Sequence, residues 1–127
     1  MNTKNYLSLL FFLISIPMFA QETGPKINFE TTLIDYGTVE KNSDGQRTFI
    51  FENSGNQDLL IKNVQSSCGC TIPKKPDGPI APGEKSEIVV RYDTNRPGPF
   101  RKTITVTTNA EENPIIALKI KGTVQPQ

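Results

Sequence analysis

An all-β sandwich is the fold class this sequence predicts, and three observations carry it. Apolar and polar residues alternate with period two in one run after another, as half-buried strands require. Clusters of turn-forming residues separate the runs, in a chain with 10 prolines and 9 glycines. No window sustains a period of 3.6, so no helix is expected. A chain of 127 residues has room for one domain.

Residues 1–20 read as a targeting segment. Lys4 supplies a short positive start, Leu7 to Ile16 is an almost unbroken apolar run, and Pro17-Met18-Phe19-Ala20 leads into polar Gln21-Glu22-Thr23. That is the order of a secretory signal peptide, with cleavage expected after Ala20. The run is short of the roughly 20 residues a membrane span needs, and no later stretch is apolar enough to cross, so no span is expected after cleavage. Lys4 is the only charge in the segment. Its loss takes the 14 basic residues to 13, matching the 13 acidic ones. A single domain is expected over residues 21–127, exported to the periplasm, the outer membrane or the exterior.

Strands are expected in chain order. Ile27-Asn28-Phe29 and Thr32 to Tyr36 suggest a first strand broken in the middle. Gln46 to Glu52 places Phe49 and Phe51 on one face. Leu59 to Val64 is rich in β-formers but alternates less cleanly, with Leu60 or Ile61 inward. Glu87 to Asp93 turns Ile88, Val90 and Tyr92 inward. Lys102 to Thr107 buries Ile104 and Val106 and sets Thr103, Thr105 and Thr107 on the other face. Leu118 and Ile120 alternate with Lys119 and Lys121. Turns fall at Lys41–Gly45, Asn53–Asn56, Pro82-Gly83, Arg96–Pro99 and Glu111–Pro114. The stretch from Pro73 to Lys85 is expected to cross between sheets. About seven short strands at such intervals describe an antiparallel β-sandwich of immunoglobulin type. Tyr36, Tyr92 and Phe100 are expected in the packing.

Composition excludes several function classes. The chain has no histidine, so neither a Ser-His-Asp nor a Cys-His nucleophile can be built from it. A net charge of +1 gives no footprint for nucleic acid. No phosphate-binding glycine loop or calcium loop is present. No catalytic residue, cofactor or metal is expected, and the chain is read as no enzyme.

The one chemical feature is Cys68-Gly69-Cys70, which holds the chain's 2 cysteines. Four readings are open. A disulfide within the motif needs Cα atoms about 4.4–6.8 Å apart, so the backbone must fold up locally, which Gly69 would ease. A dithiol redox site resembles a shortened C-x-x-C, with Lys74 and Lys75 as weak activators. A soft-metal site for copper or zinc would draw only two ligands from Cys68 and Cys70. Finally, both residues could simply pack. An oxidising compartment favours the bond.

The string Ser67-Cys68-Gly69-Cys70-Thr71 follows Leu59-x-Ile61-x-x-Val64. After it come Pro79-x-x-Pro82-Gly83, Ile88-x-Val90-x-Tyr92-Asp93, Arg96-x-Gly98-x-Phe100-x-Lys102-x-Ile104 and Leu118-x-Ile120-Lys121-Gly122. Over roughly residues 29–124 this resembles the bacterial family called domain of unknown function 1573, common in secreted proteins of the Bacteroidetes. That family resembles in turn the immunoglobulin-like domains of the major-sperm-protein and cilia-associated type. The resemblance implies a fold and a compartment, but no reaction and no partner. The function expected is therefore a secreted or cell-envelope module that binds a protein or envelope component without catalysis, by surface complementarity or by adding a strand at a sheet edge. The alternative is an extracytoplasmic thiol-redox or copper-handling protein centred on Cys68 and Cys70.

Overall fold

A computed structural model describes residues 24–126 of the chain. The expected signal segment at 1–20 and its cleavage point lie outside the described residues. Strands are β1 (Ile27–Phe29), β2 (Leu33–Val39), β3 (Gln46–Asn53), β4 (Ile61–Ser66), β5 (Thr71–Lys74), β6 (Lys85–Tyr92), β7 (Gly98–Thr108) and β8 (Ile115–Val124). They form two four-stranded sheets, in the orders β1-β3-β6-β5 and β2-β8-β7-β4.

The alternation read from the sequence points into the space between the sheets. Phe49, Phe51, Ile88, Val90, Ile104, Val106, Leu118 and Ile120 are each 0% exposed. Burying a side chain of this kind contributes about 1.5–3 kcal/mol. The core is therefore shared evenly between the two facing sheets, with two of these residues from each of the inner strands β3, β6, β7 and β8.

The structure departs from the sequence reading at three points and decides one alternative that it left open. There are eight strands where about seven were expected, because the break in the first run is a change of sheet. β1 pairs with β3, while β2 crosses over to pair with β8. That second pair is parallel, against the antiparallel expectation; every other pair is antiparallel. β2 and β8 come from opposite ends of the described chain, so no hairpin sets their relative direction.

Of Leu60 and Ile61, it is Ile61 that is buried, while Leu60 is 42% exposed and Leu59 is fully inside. The cause is a register shift between Ile61 and Asn63 opposite β7, which changes the phase of the alternation in mid-strand. Lastly, Pro73 to Lys85 does not cross between sheets. β5 and β6 are neighbours in one sheet, and the loop between them folds down to bridge Ile80 to Leu59. The crossing from β4 to β5 is made at Cys68-Gly69-Cys70 itself.

Asn53 closes the end of the sandwich where that loop lies. Its side chain is 0% exposed. Its Nδ2 donates to the carbonyls of Gln57 at 2.7 Å and Ile80 at 2.9 Å, and its Oδ1 accepts the Gly55 N–H at 2.9 Å. Its own backbone takes the Gly83 N–H at 2.8 Å and donates to Glu84 at 3.0 Å. One buried amide thus ties the β3–β4 and β5–β6 connections together.

Candidate functional site

The opposite end is built on rings and sulfur. Tyr36 from β2, Tyr92 from β6 and Phe100 from β7 meet across the two sheets. Tyr92 stacks on Phe100 with centroids 3.8 Å apart, and Tyr36 meets Phe100 edge-on at 5.2 Å. Gly122 of β8 is needed here, since a Cβ on it would lie 2.7 Å from the Tyr36 Cβ and 2.9 Å from the Phe100 ring. The Tyr36 hydroxyl donates to the Gly45 carbonyl at 2.7 Å. Burial pushes its pKa up to about 12, against the pull of Arg47, whose guanidinium lies 4.2 Å over the ring. Burial also raises the pKa of Tyr92.

Beside this cluster the structure joins Cys68 to Cys70 in a disulfide, with Cα atoms 5.3 Å apart. The turn is held by hydrogen bonds within it and to both sheets. The Cys68 N–H donates to Ser66 Oγ at 3.2 Å, and the Cys68 carbonyl accepts the Thr71 N–H at 3.3 Å. The Cys70 carbonyl accepts the Asp93 N–H at 2.8 Å, and Ser67 N–H donates to Thr103 of β7 at 3.0 Å. Both sheets therefore grip the turn. Cys70 is buried at 4% exposure, whereas Cys68 is only partly covered. The Cys70 N–H donates to Cys68 Sγ at 3.0 Å, and Thr71 Oγ1 lies 3.9 Å from Cys70 Sγ.

Gly69 does not use the conformational freedom by which it was expected to ease the turn. Its φ is outside the left-handed region, and a Cβ on it would meet nothing within 4 Å. A groove of about 450 Å³ opens next to the turn, lined in part by Gly45, Gly69, Cys70, Ile72 and Arg91. Ile72 stands 65% exposed on its rim.

The sheet edges differ in what they offer a partner. Asp93 N–H bonds to Cys70, so the two-residue alternation of the ladder turns Ile72 and Lys74 toward β6 and leaves Pro73 outward. Proline has no N–H, so the β5 edge is poor in donors. On β2, Thr31 Oγ1 donates to the Leu33 carbonyl at 2.9 Å and accepts its N–H at 3.3 Å, and Asp35 Oδ1 takes the Gly37 N–H at 2.9 Å. β1 has only 3 residues. β4 is different. Ser67 N–H bonds inward to Thr103, which places the backbone groups of Val64 and Ser66 outward.

Of the sequence-singled residues, Cys68 and Cys70 come together. Thr105 is exposed on β7, with Thr103 and Thr107 half-buried; Lys74 and Lys75 are exposed. Among the described residues no group of three or more His, Cys, Asp or Glu side chains is placed to hold a metal ion, and no helix is long and apolar enough to cross a membrane. The sequence reading missed the capping of β2 by Thr31 and Asp35. It also missed the open β4 edge, for which Pro73 was an available signal by contrast.

Solved structures share this fold. A PapD-like domain of human CEP192 matches with a TM-score of 0.67 at 10% identity, covering 97% of this chain and 100% of that one. A protein of unknown function from Porphyromonas gingivalis W83 matches with a TM-score of 0.70 at 17% identity, over 84% of this chain and 50% of that one. This chain thus spans half the length of that protein. A chain of the CsuC-CsuE chaperone-tip adhesion subunit pre-assembly complex from Acinetobacter baumannii matches with a TM-score of 0.54 at 14% identity, over 80% and 57%. No curated protein matches the sequence. The sequence profile of the family described as "Protein of unknown function (DUF1573)" matches residues 27–124, and the chain belongs to that family.

Proposed function

We propose that this domain is an exported, non-enzymatic binding module that takes up an extended segment of a partner polypeptide along the edge of β4. One observation carries the reading. Of the four edge strands, β5 is broken by Pro73, β2 has backbone groups of Leu33 and Gly37 taken up by the Thr31 and Asp35 side chains and β1 is 3 residues long, while β4 leaves the backbone groups of Val64 and Ser66 facing outward. An added strand gains affinity from such main-chain groups and specificity from the side chains beside them. Export rests on residues 1–20, and the mature protein would begin at Gln21 as a single domain.

Proline substitution gives a sharp test. Val64→Pro removes an outward N–H that the fold does not use, whereas Asn63→Pro removes one aimed at β7. A photo-crosslinker at exposed Gln65, used in the native host, should yield a defined crosslinked partner. Val64→Pro should abolish that product while the domain stays folded, and Asn63→Pro should unfold it. An unchanged product in folded Val64→Pro would overturn the edge reading.

A further inference from the structure

We propose that the Cys68–Cys70 disulfide is a thiol–disulfide exchange site that accepts two electrons from a dithiol on a second polypeptide, with Cys68 Sγ as the sulfur attacked. This goes beyond the binding reading, because it rests on the surroundings of the two sulfurs and not on the β4 edge.

Four observations converge. First, the bond closes a loop with a sequence separation of only 2. A ring that small restrains the unfolded chain very little, so the bond has little to do for the fold. The turn is already gripped by hydrogen bonds to Ser66, Thr103 and Asp93.

Second, the two sulfurs are unequal. Cys70 is 4% exposed and Cys68 is only partly covered, so an incoming thiolate reaches Cys68. Third, each sulfur has a donor beside it when it leaves as a thiolate. Thr71 Oγ1 is 3.9 Å from Cys70 Sγ, and the Cys70 N–H points at Cys68 Sγ from 3.0 Å. A hydrogen bond to the charged form favours that form, and a better leaving thiolate speeds exchange.

Fourth, neither φ nor crowding requires a glycine at 69. A side chain at 69 would project into open space beside the groove, next to the bond.

A partner thiolate attacks Cys68 Sγ, forming a mixed disulfide and breaking the Cys68–Cys70 bond; Cys70 leaves as a thiolate and takes up a proton. The partner's second thiolate then attacks its own mixed-disulfide sulfur. Cys68 leaves as a thiolate stabilised by the Cys70 N–H and is protonated. The partner is oxidised to a disulfide and this chain is reduced to a dithiol, with two protons and two electrons transferred.

The test uses the oxidised, folded protein with dithiothreitol and with a synthetic peptide carrying two cysteines. Both probes should reduce the bond without denaturant, and the peptide should lose two hydrogens for each chain that gains two. With oxidised glutathione, the thiol of Cys70→Ser should form its adduct about tenfold faster than that of Cys68→Ser, following exposure. Gly69→Val should slow reduction by dithiothreitol several-fold, with an unchanged melting temperature. Reduction only after unfolding, or equal adduct rates in the two single-cysteine variants, would overturn the proposal. So would an unslowed Gly69→Val.

Discussion

At one end of the sandwich a single buried amide, Asn53, holds two connections by direct hydrogen bonds to Gln57, Ile80 and Gly55. At the other end, three rings from two sheets stack, and a two-cysteine turn carries the chain from one sheet to the other. The Asn53 end buries its polar groups and leaves none of the side chain open to solvent. The ring-and-sulfur end leaves a groove, an exposed Ile72 and a half-covered sulfur. Satisfied buried polar groups specify a single arrangement of loops. Exposed apolar surface and a bond that closes a tiny loop add little to stability. The contrast sets a sealed end against an open one within one small domain.

The comparison is broken most severely at Asn53. Asn53→Ala leaves the Gln57 carbonyl and the Gly55 N–H without their side-chain partner and the Ile80 carbonyl with the Leu59 N–H alone, at a cost of about 2–4 kcal/mol. Denaturant titration should show that loss, and a neutral result would remove the amide's structural role.

The next effect belongs to the ring end and appears only in alkali. The pKa of Tyr36 is raised by burial from 10.0 to about 12. Its protonated form is favoured in the folded state, so this stabilisation is complete below pH 10. It is lost as pH rises from 10 toward 12. Ultraviolet titration should find both Tyr36 and Tyr92 ionising late, with the later of the two steps absent in Tyr36→Phe. That same substitution removes the hydroxyl's bond to Gly45 and should cost about 1 kcal/mol at neutral pH. The Gly45 carbonyl keeps the Tyr92 N–H, so the loss stays small.

Smallest of all is the sulfur. Replacing both Cys68 and Cys70 by serine should change stability by less than about 1 kcal/mol, because the loop they close is tiny. A drop as large as that of Asn53→Ala would make the disulfide a structural clamp and erase the contrast between the ends.

Period-two alternation was enough to place Phe49, Phe51, Ile88, Val90, Ile104, Val106, Leu118 and Ile120 in the core, since side chains on a pleated strand must take opposite faces. The packing of Tyr36, Tyr92 and Phe100 was legible as well, each being large and set among strand residues. The choice of Ile61 over Leu60 was not, because a one-residue register shift against β7 inverts the phase and depends on the partner strand.

The Cys68-Gly69-Cys70 motif was legible as a chemical feature. Its position as the crossing between sheets was not, because which sheet a strand joins is settled by distant neighbours. β2 beside β8 is the plainest case. Local sequence thus determined which segments are strands and which face of each is apolar, through the fixed geometry of the extended backbone. The tertiary structure alone decided the sheet order, the parallel pair and the capping of β2. It also left β4 as the open edge, because each of these depends on contacts between residues far apart in the chain.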